Sequence, residues 1–438
     1  MQLHVIARTC SNSLLTPKTH KRICGDDRDV LIKKCFISLA NTIRASQHDI
    51  KLTVLDDHSD SQFLEFIKNE AENINLSLIS LEKRGPNNSA LEQFKVAAES
   101  DGLVYIVEDD YLHEENAIDY MLGAYIHFMH KFNSDTIIFP YDCSLRYQDG
   151  HESLTTIYHD GVRYWRSVDK TSNTMFTHYS VLKRNWDKFE NLAKNYPKVL
   201  EDDTINTLYY SHINPNASIR VFSPIPSIAY HVGYSITTQI ATSHMSWQDL
   251  WNRIPNWSLI PGWFYNPKFY EQIVYMLPSN AKIVEVGTWK GRSTCCMAEL
   301  IKTSGKNIKF YAVDTFEGSN ESIHKTLITE LKTDLYSEFI KNLKFCEVDN
   351  IVVPMRMTSK EASKSFEDES LDFVMLDGAH DYDSVLADIQ SWLPKVKKGG
   401  MLAGDDYGGD WLGVTKAVNE SFGDKIKVIN GIWYIIKK

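Results

Sequence analysis

The segment Val284–Ser293, VEVGTWKGRS, constrains the fold more tightly than any other stretch of this 438-residue chain. A β-branched run carrying Glu285 leads through Gly287 and Gly291 into a segment of helical character that begins near Arg292. Two glycines between a strand and a helix let the turn bring its backbone close to a bulky ligand. Ser293 and Thr294 then fall in the first helical turn, where unpaired backbone N–H groups face the same edge. The residues ahead of this turn are numerous enough for a second folded unit with its own core.

Both halves alternate between strand-like and helix-like segments. Ahead of the turn, Leu3–Arg8, Leu52–Leu55, Leu76–Leu81 and Leu103–Val107 read as strands, with helices at Val30–Ala45, Gln62–Ala71 and Ala90–Glu99. Such alternation favours parallel neighbours in an α/β sheet, and the pattern becomes less regular after Pro140. Later strands are expected at Ile283–Val286, Lys309–Val313, Ile351–Met355, Phe373–Leu376 and Met401–Ala403, with a terminal hairpin from Ile426–Ile429 and Ile432–Ile436. Between the halves, Trp247, Trp251, Trp257 and Trp263 mark an ordered connector, or a lid packed on one domain, rather than a loose tether, because flexible linkers are poor in aromatics. The expected division is 1–240, a connector over 241–262, and 263–438.

A formal charge of -10 removes any general attraction to nucleic acid or anionic lipid. Seven cysteines without a CxxC pair read as reduced thiols, not as a disulfide framework or structural zinc site. No apolar run approaches the roughly 18 residues needed to cross a bilayer, so a soluble cytoplasmic protein is expected, with oligomerisation left open.

Acids cluster where predicted strands end. Asp314 follows KFYAV, the place where doubly wound folds set an acid on a ribose hydroxyl. LDGAHDY (Leu376–Tyr382) and AGDDY (Ala403–Tyr407) place Asp377, Asp405 and Asp406 just past two strands. Without basic neighbours in sequence these carboxylates repel one another unless a hard cation joins them. In the first half, Asp56 and Asp57 of DDHSD end one strand, Asp109 and Asp110 of VEDDY follow another, and LEDDT spans Leu200–Thr204.

With IPGWF, VEVGTWKGRST, LDGAHDY and AGDDY in this order, residues from about 260 to 438 resemble class I S-adenosylmethionine-dependent methyltransferases. Within that class they are most similar to the metal-dependent sugar O-methyltransferases of antibiotic sugars, with wider kinship to catechol O-methyltransferase. The resemblance implies a Rossmann-like domain in which Glu285, Gly287 and Ser293 line the methionine part of the cofactor beside Gly291, and Asp314 binds the ribose. It further implies that Asp377, Asp405 and Asp406 hold Mg²⁺ and that His380 is the general base. Trp289 is placed to stack near the cofactor, or equally to pack in the core.

Residues 1 to about 235 resemble GT-A glycosyltransferases through DDHSD, VEDDY and LEDDT. That likeness implies a nucleotide-sugar site with Asp56, Asp57 and Asp109. Asp110 would hold Mn²⁺ or Mg²⁺ on the sugar diphosphate with His231 completing the shell, and Asp202 or Asp203 would be the base of an inverting transfer. On the residues alone, EDDT also reads as a helix N-terminus, which favours acids, and His231 as a structural histidine. Asn87 and Asn88, after Arg84 and Gly85, border the nucleotide or simply form a turn. The architecture resembles multidomain glycosyltransferases of large algal viruses, which would put it in the host cytoplasm.

The expected function is bifunctional: glycosyl transfer from a nucleotide sugar to a glycan or glycoconjugate, and O-methylation of a sugar hydroxyl. The alternatives are a methyltransferase carrying a non-catalytic glycan-binding domain, or a small-molecule methyltransferase with a structural first domain. A related hydroxylase is disfavoured, because the iron-binding histidine set is not apparent.

Overall fold

The computed structural model describes residues 2–12, 27–142, 154–232, 247–318, 322–329, 331 and 333–438. Cys24, Cys143 and the stretch 233–246, which holds the end of the first expected domain and the start of the connector, lie outside the described residues. The chain divides into two compact units, Met1–Ile254 and Pro255–Lys438. The division falls inside the Trp-rich connector. Helix Trp247–Arg253 belongs to the first unit, where the Lys34 ammonium donates to the carbonyls of Trp251 and Ile254 and lies 4.8 Å from the Trp251 ring centroid. The turn Asn256–Leu259 belongs to the second.

The strands of the first unit are β1 (Leu3–Thr9), β2 (Ile50–Asp56), β3 (Asn75–Ser80), β4 (Leu103–Val107), β5 (Tyr111–His113), β6 (Asp135–Ile138), β7 (Ile157–His159), β8 (Tyr164–Val168), β9 (Met175–His178), β10 (Ile219–Ile225) and β11 (Ala229–His231). Nine of them form one sheet in the order β3-β2-β1-β4-β9-β6-β10-β8-β7, and β5 pairs with β11. The first four run parallel, as the regular alternation requires, while β9 is antiparallel to β4 and the sheet is mixed beyond it. Helix Arg28–Ala45 buries Ile32, Phe36, Leu39, Ala40 and Ile43 on one face, and the Asp27 carboxylate caps its start by accepting from the Asp29 and Val30 N–H groups. The buried Gln93 amide, on helix Pro86–Ala98, donates to the carbonyls of Ile6 and Val107 and ties that helix to β1 and β4. Strand order reverses between β1 and β4, and a parallel α/β sheet leaves a crevice at the carboxyl ends of such a pair.

The second unit carries β12 (Lys282–Val286), β13 (Lys309–Asp314), β14 (Val352–Arg356), β15 (Leu371–Leu376), β16 (Val396–Gly404), β17 (Lys427–Ile429) and β18 (Ile432–Ile436). Their order is β14-β13-β12-β15-β16-β18-β17; the first five are parallel, and β18 is antiparallel to both neighbours. This is a Rossmann-like α/β sheet, closed by the expected hairpin at Asn430–Gly431, where both residues have positive φ and match the twist of the strands. Side chains alternate between two cores with the period of a strand. Ile283, Phe310, Phe373 and Met375 pack in one, while Val284, Val286, Val374 and Leu376 pack in the other with Trp392 and Trp433.

The reversal of order lies between β12 and β15. Gly287, just past β12, has φ +83°, and a Cβ there would meet the Asp377 carbonyl oxygen at 1.9 Å. A Cβ at Gly291 would meet the Phe339 ring at 2.9 Å. Both glycines therefore have a reason inside the protein, the close packing of the turn against its neighbours, beside the access to a ligand read from the sequence. Among the described residues, no helix is long and apolar enough to cross a membrane. Of the cysteines described, Cys10, Cys35, Cys295, Cys296 and Cys346 are free thiols.

Candidate active sites

In the second unit the turn after β12 is organised by Asp314, the last residue of β13. Its Oδ2 accepts from the N–H groups of Thr288 and Trp289 at 2.8 and 2.9 Å, and its Oδ1 accepts from Phe316 N–H at 2.7 Å. Trp289 and Phe316 have φ of 48° and 57°, a left-handed conformation that costs a bulky residue about 1–3 kcal/mol and concentrates at functional turns. Thr288 Oγ1 and Trp289 Nε1 are buried there without a hydrogen-bond partner, which leaves polar capacity for a ligand. Glu285, only 2% exposed, accepts from the Tyr270 and Thr294 hydroxyls. Burial raises its pKa, against hydrogen bonds from Thr294, Ser293 and Tyr270. Ser293 is buried in the first turn of helix Arg292–Ser304.

Past β15 and β16, Asp377, His380 and Asp406 each offer a ligand atom, all within 4.8 Å of one another. His380 Nε2 is 3.0 Å from Asp406 Oδ2, so the histidine expected as a base is drawn into the acid cluster. Asp405 stands beside it, its Oδ1 accepting from the Asp406 N–H at 2.9 Å. Asp406 has φ +64°. Burial and the charges of Asp405 and Asp406 push Asp377 well above the usual carboxylate range, and burial with Asp406 raises Asp405. The carboxylate oxygens of Asp377, Asp405 and Asp406 are donors that suit a hard divalent cation, and such an ion would relieve this repulsion while leaving His380 beside it as a proton acceptor. Trp411 stacks on His380 with ring centroids 4.3 Å apart. Gly413 makes that approach possible, because a Cβ on it would lie 2.6 Å from the His380 carbonyl oxygen.

In the first unit each acid of the β4 motif has a cationic partner. Arg8 pairs with Glu108, Arg28 Nη2 lies 2.8 Å from Asp109 Oδ2, and His231 Nε2 lies 3.0 Å from Asp110 Oδ2. Asp109 also accepts from the Thr9 hydroxyl and the Cys10 N–H. The histidine arrives through the antiparallel pairing of β11 with β5, which sets His231 opposite Tyr111. Burial opposes charge on both Asp110 and His231, but their mutual attraction wins: Asp110 falls below its ordinary pKa and His231 rises to about 9. Burial raises Asp109, with the Arg28 charge opposing. Asp110 Oδ1 is buried without a hydrogen-bond partner, an orphaned oxygen of the kind a metal ion satisfies.

The other expected residues are already engaged by partners within the first unit. Asp56 accepts from the Ser59 N–H, and Asp57 from the Gly85 N–H at 2.9 Å while pairing with His58. Asn87 donates to the Tyr196 carbonyl and Asn88 to that of Arg84. Asp202, with a 56% exposed side chain, is held by Lys170 at 2.7 Å and by Asn206, which lower its pKa. Asp203 accepts from the Leu200 N–H, the helix-start role open to it from the sequence. The acid of LEDDT that senses the β4 motif is Glu201: burial raises its pKa, and the charge of Glu108 adds to the shift. Sequence reasoning missed Glu201 because a three-residue 3-10 turn has no periodicity to show which acid faces inward. It missed Arg28 because 81 residues separate that arginine from Asp109.

Residues 284–407 match the family model described as a methyltransferase domain. The second unit thus contains a methyltransferase domain. An uncharacterized protein of Sinorhizobium fredii, y4gI, is 29% identical over 135 residues, which cover 31% of this chain and 14% of that protein. An uncharacterized protein of Acanthamoeba polyphaga mimivirus is 26% identical over 124 residues, covering 28% of this chain and 50% of that protein. This chain's matches therefore span half or less of the length of these curated relatives. Among solved structures, the O-methyltransferase NovP aligns with 39% of this chain and 79% of its own, at 19% identity and a TM-score of 0.32.

Proposed function

We propose that the chain is a bifunctional glycan-modifying enzyme whose second unit methylates a sugar hydroxyl and whose first unit transfers a sugar from a nucleotide donor. The observation that carries the methyl-transfer half is the cluster of Asp377, His380 and Asp406 within the matched methyltransferase domain, one loop from the orphaned Thr288 Oγ1 and Trp289 Nε1. S-adenosylmethionine would supply an electrophilic methyl group, held by the Gly287–Gly291 turn and Asp314. Mg²⁺ would make the acceptor hydroxyl easier to deprotonate, held by Asp377 and Asp406 with Asp405 alongside. As the acceptor oxygen gains the methyl group, its proton passes to His380. Asp406, 3.0 Å from Nε2, stabilises the ring once it is charged.

The glycosyl-transfer half is supported by the acids at the reversal between β1 and β4, with the orphaned Asp110 Oδ1 as the point for Mn²⁺ or Mg²⁺. Glu201, half-buried and drawn upward in pKa by burial and the Glu108 charge, is favoured over the solvent-facing Asp202 and the turn-bound Asp203 as the group that takes the acceptor proton. Fusion would keep the product of one site at high effective concentration for the other. A second reading, a glycan-binding first unit, is favoured by the pairing of every β4 acid with Arg8, Arg28 or His231.

The test is donor turnover by the whole chain with Mn²⁺ and a panel of UDP-, GDP- and dTDP-sugars, with and without Asp110→Ala. Release from one donor, lost in the variant, identifies a transferase and its sugar. Release from none, with methylation retained, favours the binding module.

A further inference from the structure

Helix Tyr382–Trp392 starts directly after the LDGAH turn, where the Asp381 carboxylate caps it by accepting from the Ser384 N–H. Less than two turns along, the helix returns a further carboxylate to the site. Asp388 lines one cavity with Asp377, His380, Asp405 and Asp406, and no lysine or arginine is among the residues that line it. Its orientation is fixed from one side: Oδ1 accepts from the Ser359 hydroxyl, which itself accepts from Trp392 Nε1 at 2.8 Å. Oδ2 stands against the loop that carries Asp377, since a Cβ built on Gly378 would lie 3.8 Å from it.

The methyl-transfer chemistry above leaves this group without a task. Burial pushes its carboxyl up to about 6 against the hydrogen bond from Ser359, and the charge of Asp381 adds to the shift. The cation on the neighbouring helix Leu412–Phe422, Lys416, is engaged elsewhere, with its ammonium over the Tyr382 ring at 4.5 Å from the centroid. At neutral pH the fold therefore carries Asp388 ionised and poorly solvated, where an asparagine would meet the same hydroxyl without charge. Local conflicts of this kind concentrate where a site needs them. An anion in such surroundings is unfavourable on its own and most effective toward a cation bound nearby, because a low dielectric strengthens their attraction.

We infer that Asp388 is a positioning residue of the methyl-transfer site: its negative charge on the cavity wall helps seat a divalent cation on Asp377, Asp405 and Asp406, at a cost in stability to the folded unit. This rests on the methyl-transfer reading above. Asp388 acts through the potential it sets at the three ligands, so removing its charge weakens the hold on the cation and relieves the fold.

The experiment follows Mn²⁺ binding by electron paramagnetic resonance and unfolding by calorimetry, both at pH 8. Every protein is the full chain carrying Asp110→Ala, so that the orphaned oxygen of the first unit does not contribute. Adding Asp388→Asn should weaken Mn²⁺ binding by about tenfold and raise the unfolding midpoint of the second unit, with S-adenosylmethionine affinity unchanged. Adding Ser359→Ala instead removes the hydroxyl and keeps the charge, and should leave Mn²⁺ affinity within about threefold. Opposite signs for the two effects of Asp388→Asn mark the charge, since a merely structural role moves stability and binding down together. Mn²⁺ affinity within about twofold of the background protein after Asp388→Asn overturns the proposal. So does equal weakening by Ser359→Ala, or a lower unfolding midpoint alongside weaker binding. Absence of Mn²⁺ binding in the background protein, or binding that survives Asp377→Ala there, overturns the metal-site reading itself, and these controls tell the two failures apart.

Discussion

His231 Nε2 lies 3.0 Å from Asp110 Oδ2 although 121 residues separate them, because β11 pairs with β5 and carries the histidine back to the acid. The second unit reaches a similar geometry by another route: His380 and Asp406 are also 3.0 Å apart, on turns that follow two neighbouring parallel strands. In both units the pair stands at the carboxyl edge of the sheet, beside the point where strand order reverses. The two causes differ: in the second unit parallel neighbours bring the turns after their strands together, whereas in the first an antiparallel two-stranded pairing returns the histidine to the turn after β4.

If each unit works alone, substitutions should separate the activities. Asp110→Ala removes the orphaned Oδ1 and the partner of His231, and is expected to reduce metal-dependent nucleotide release by about 100-fold or more with methylation unchanged. Asp377→Ala should do the reverse. Parallel assays of released nucleotide and transferred methyl decide it, and equal loss of both activities in either variant would sink the two-site account.

Three adjacent acids in LEDDT are distinguished by their surroundings. Glu201→Gln should lower the glycosyl-transfer kcat by about 100-fold with little change in donor affinity, a usual size for loss of a general base. Asp202→Asn, whose parent carboxylate is solvent-facing and paired with Lys170, should retain activity within about threefold. A kinetic comparison in which Asp202→Asn is the inactive variant would return the role to the residue first expected from the sequence.

What could be read in advance follows from which signals are periodic. The regular strands, the Gly287–Gly291 turn and the final hairpin were legible because strand and helix repeats and positive-φ residues leave marks in short windows. The acids at strand ends were legible as candidates for the same reason. Two of their partners were not, since Arg8 and Arg28 reach Glu108 and Asp109 only through long-range pairing, while His231 was set beside Asp110 by the family resemblance and not by the residues alone. The mixed half of the first sheet was obscure as well, because β6 and β9 are short and β6, β9 and β10 interleave out of sequence order. Glu285 and Asp314 illustrate a further limit. Position predicted that they matter, but only coordinates reveal that Tyr270, Thr294 and the Thr288–Trp289 backbone already use part of their hydrogen-bonding capacity.

Gly287→Ala tests the packing of the two turns. The added methyl would lie 1.9 Å from the Asp377 carbonyl oxygen at a φ of +83°, so the turn after β12 and the turn after β15 must separate. A loss of about 2–4 kcal/mol in the stability of the second unit is expected, together with weaker S-adenosylmethionine binding. Calorimetric unfolding and cofactor titration measure the two effects, and a variant as stable as the parent would show that the turns relax without cost.

Asp388 gives the second unit a pH dependence of defined sign. Its Oδ1 accepts from the Ser359 hydroxyl, which in turn accepts from Trp392 Nε1 at 2.8 Å, and burial pushes the carboxyl up to about 6. A carboxyl whose folded pKa is raised stabilises the fold when protonated. That contribution is complete below the unfolded value of about 4 and is lost as pH rises through about 6. At neutral pH the folded unit therefore carries an ionised, poorly solvated carboxylate at a cost on the order of 2–3 kcal/mol. Asp388→Asn keeps an acceptor for Ser359 and removes the charge, so it should raise the unfolding midpoint of the second unit at pH 7. The advantage should shrink steadily toward pH 4. Thermal unfolding of parent and variant across that range reads the effect directly: a difference that does not vary with pH would mean that Asp388 titrates alike in the folded and unfolded chains.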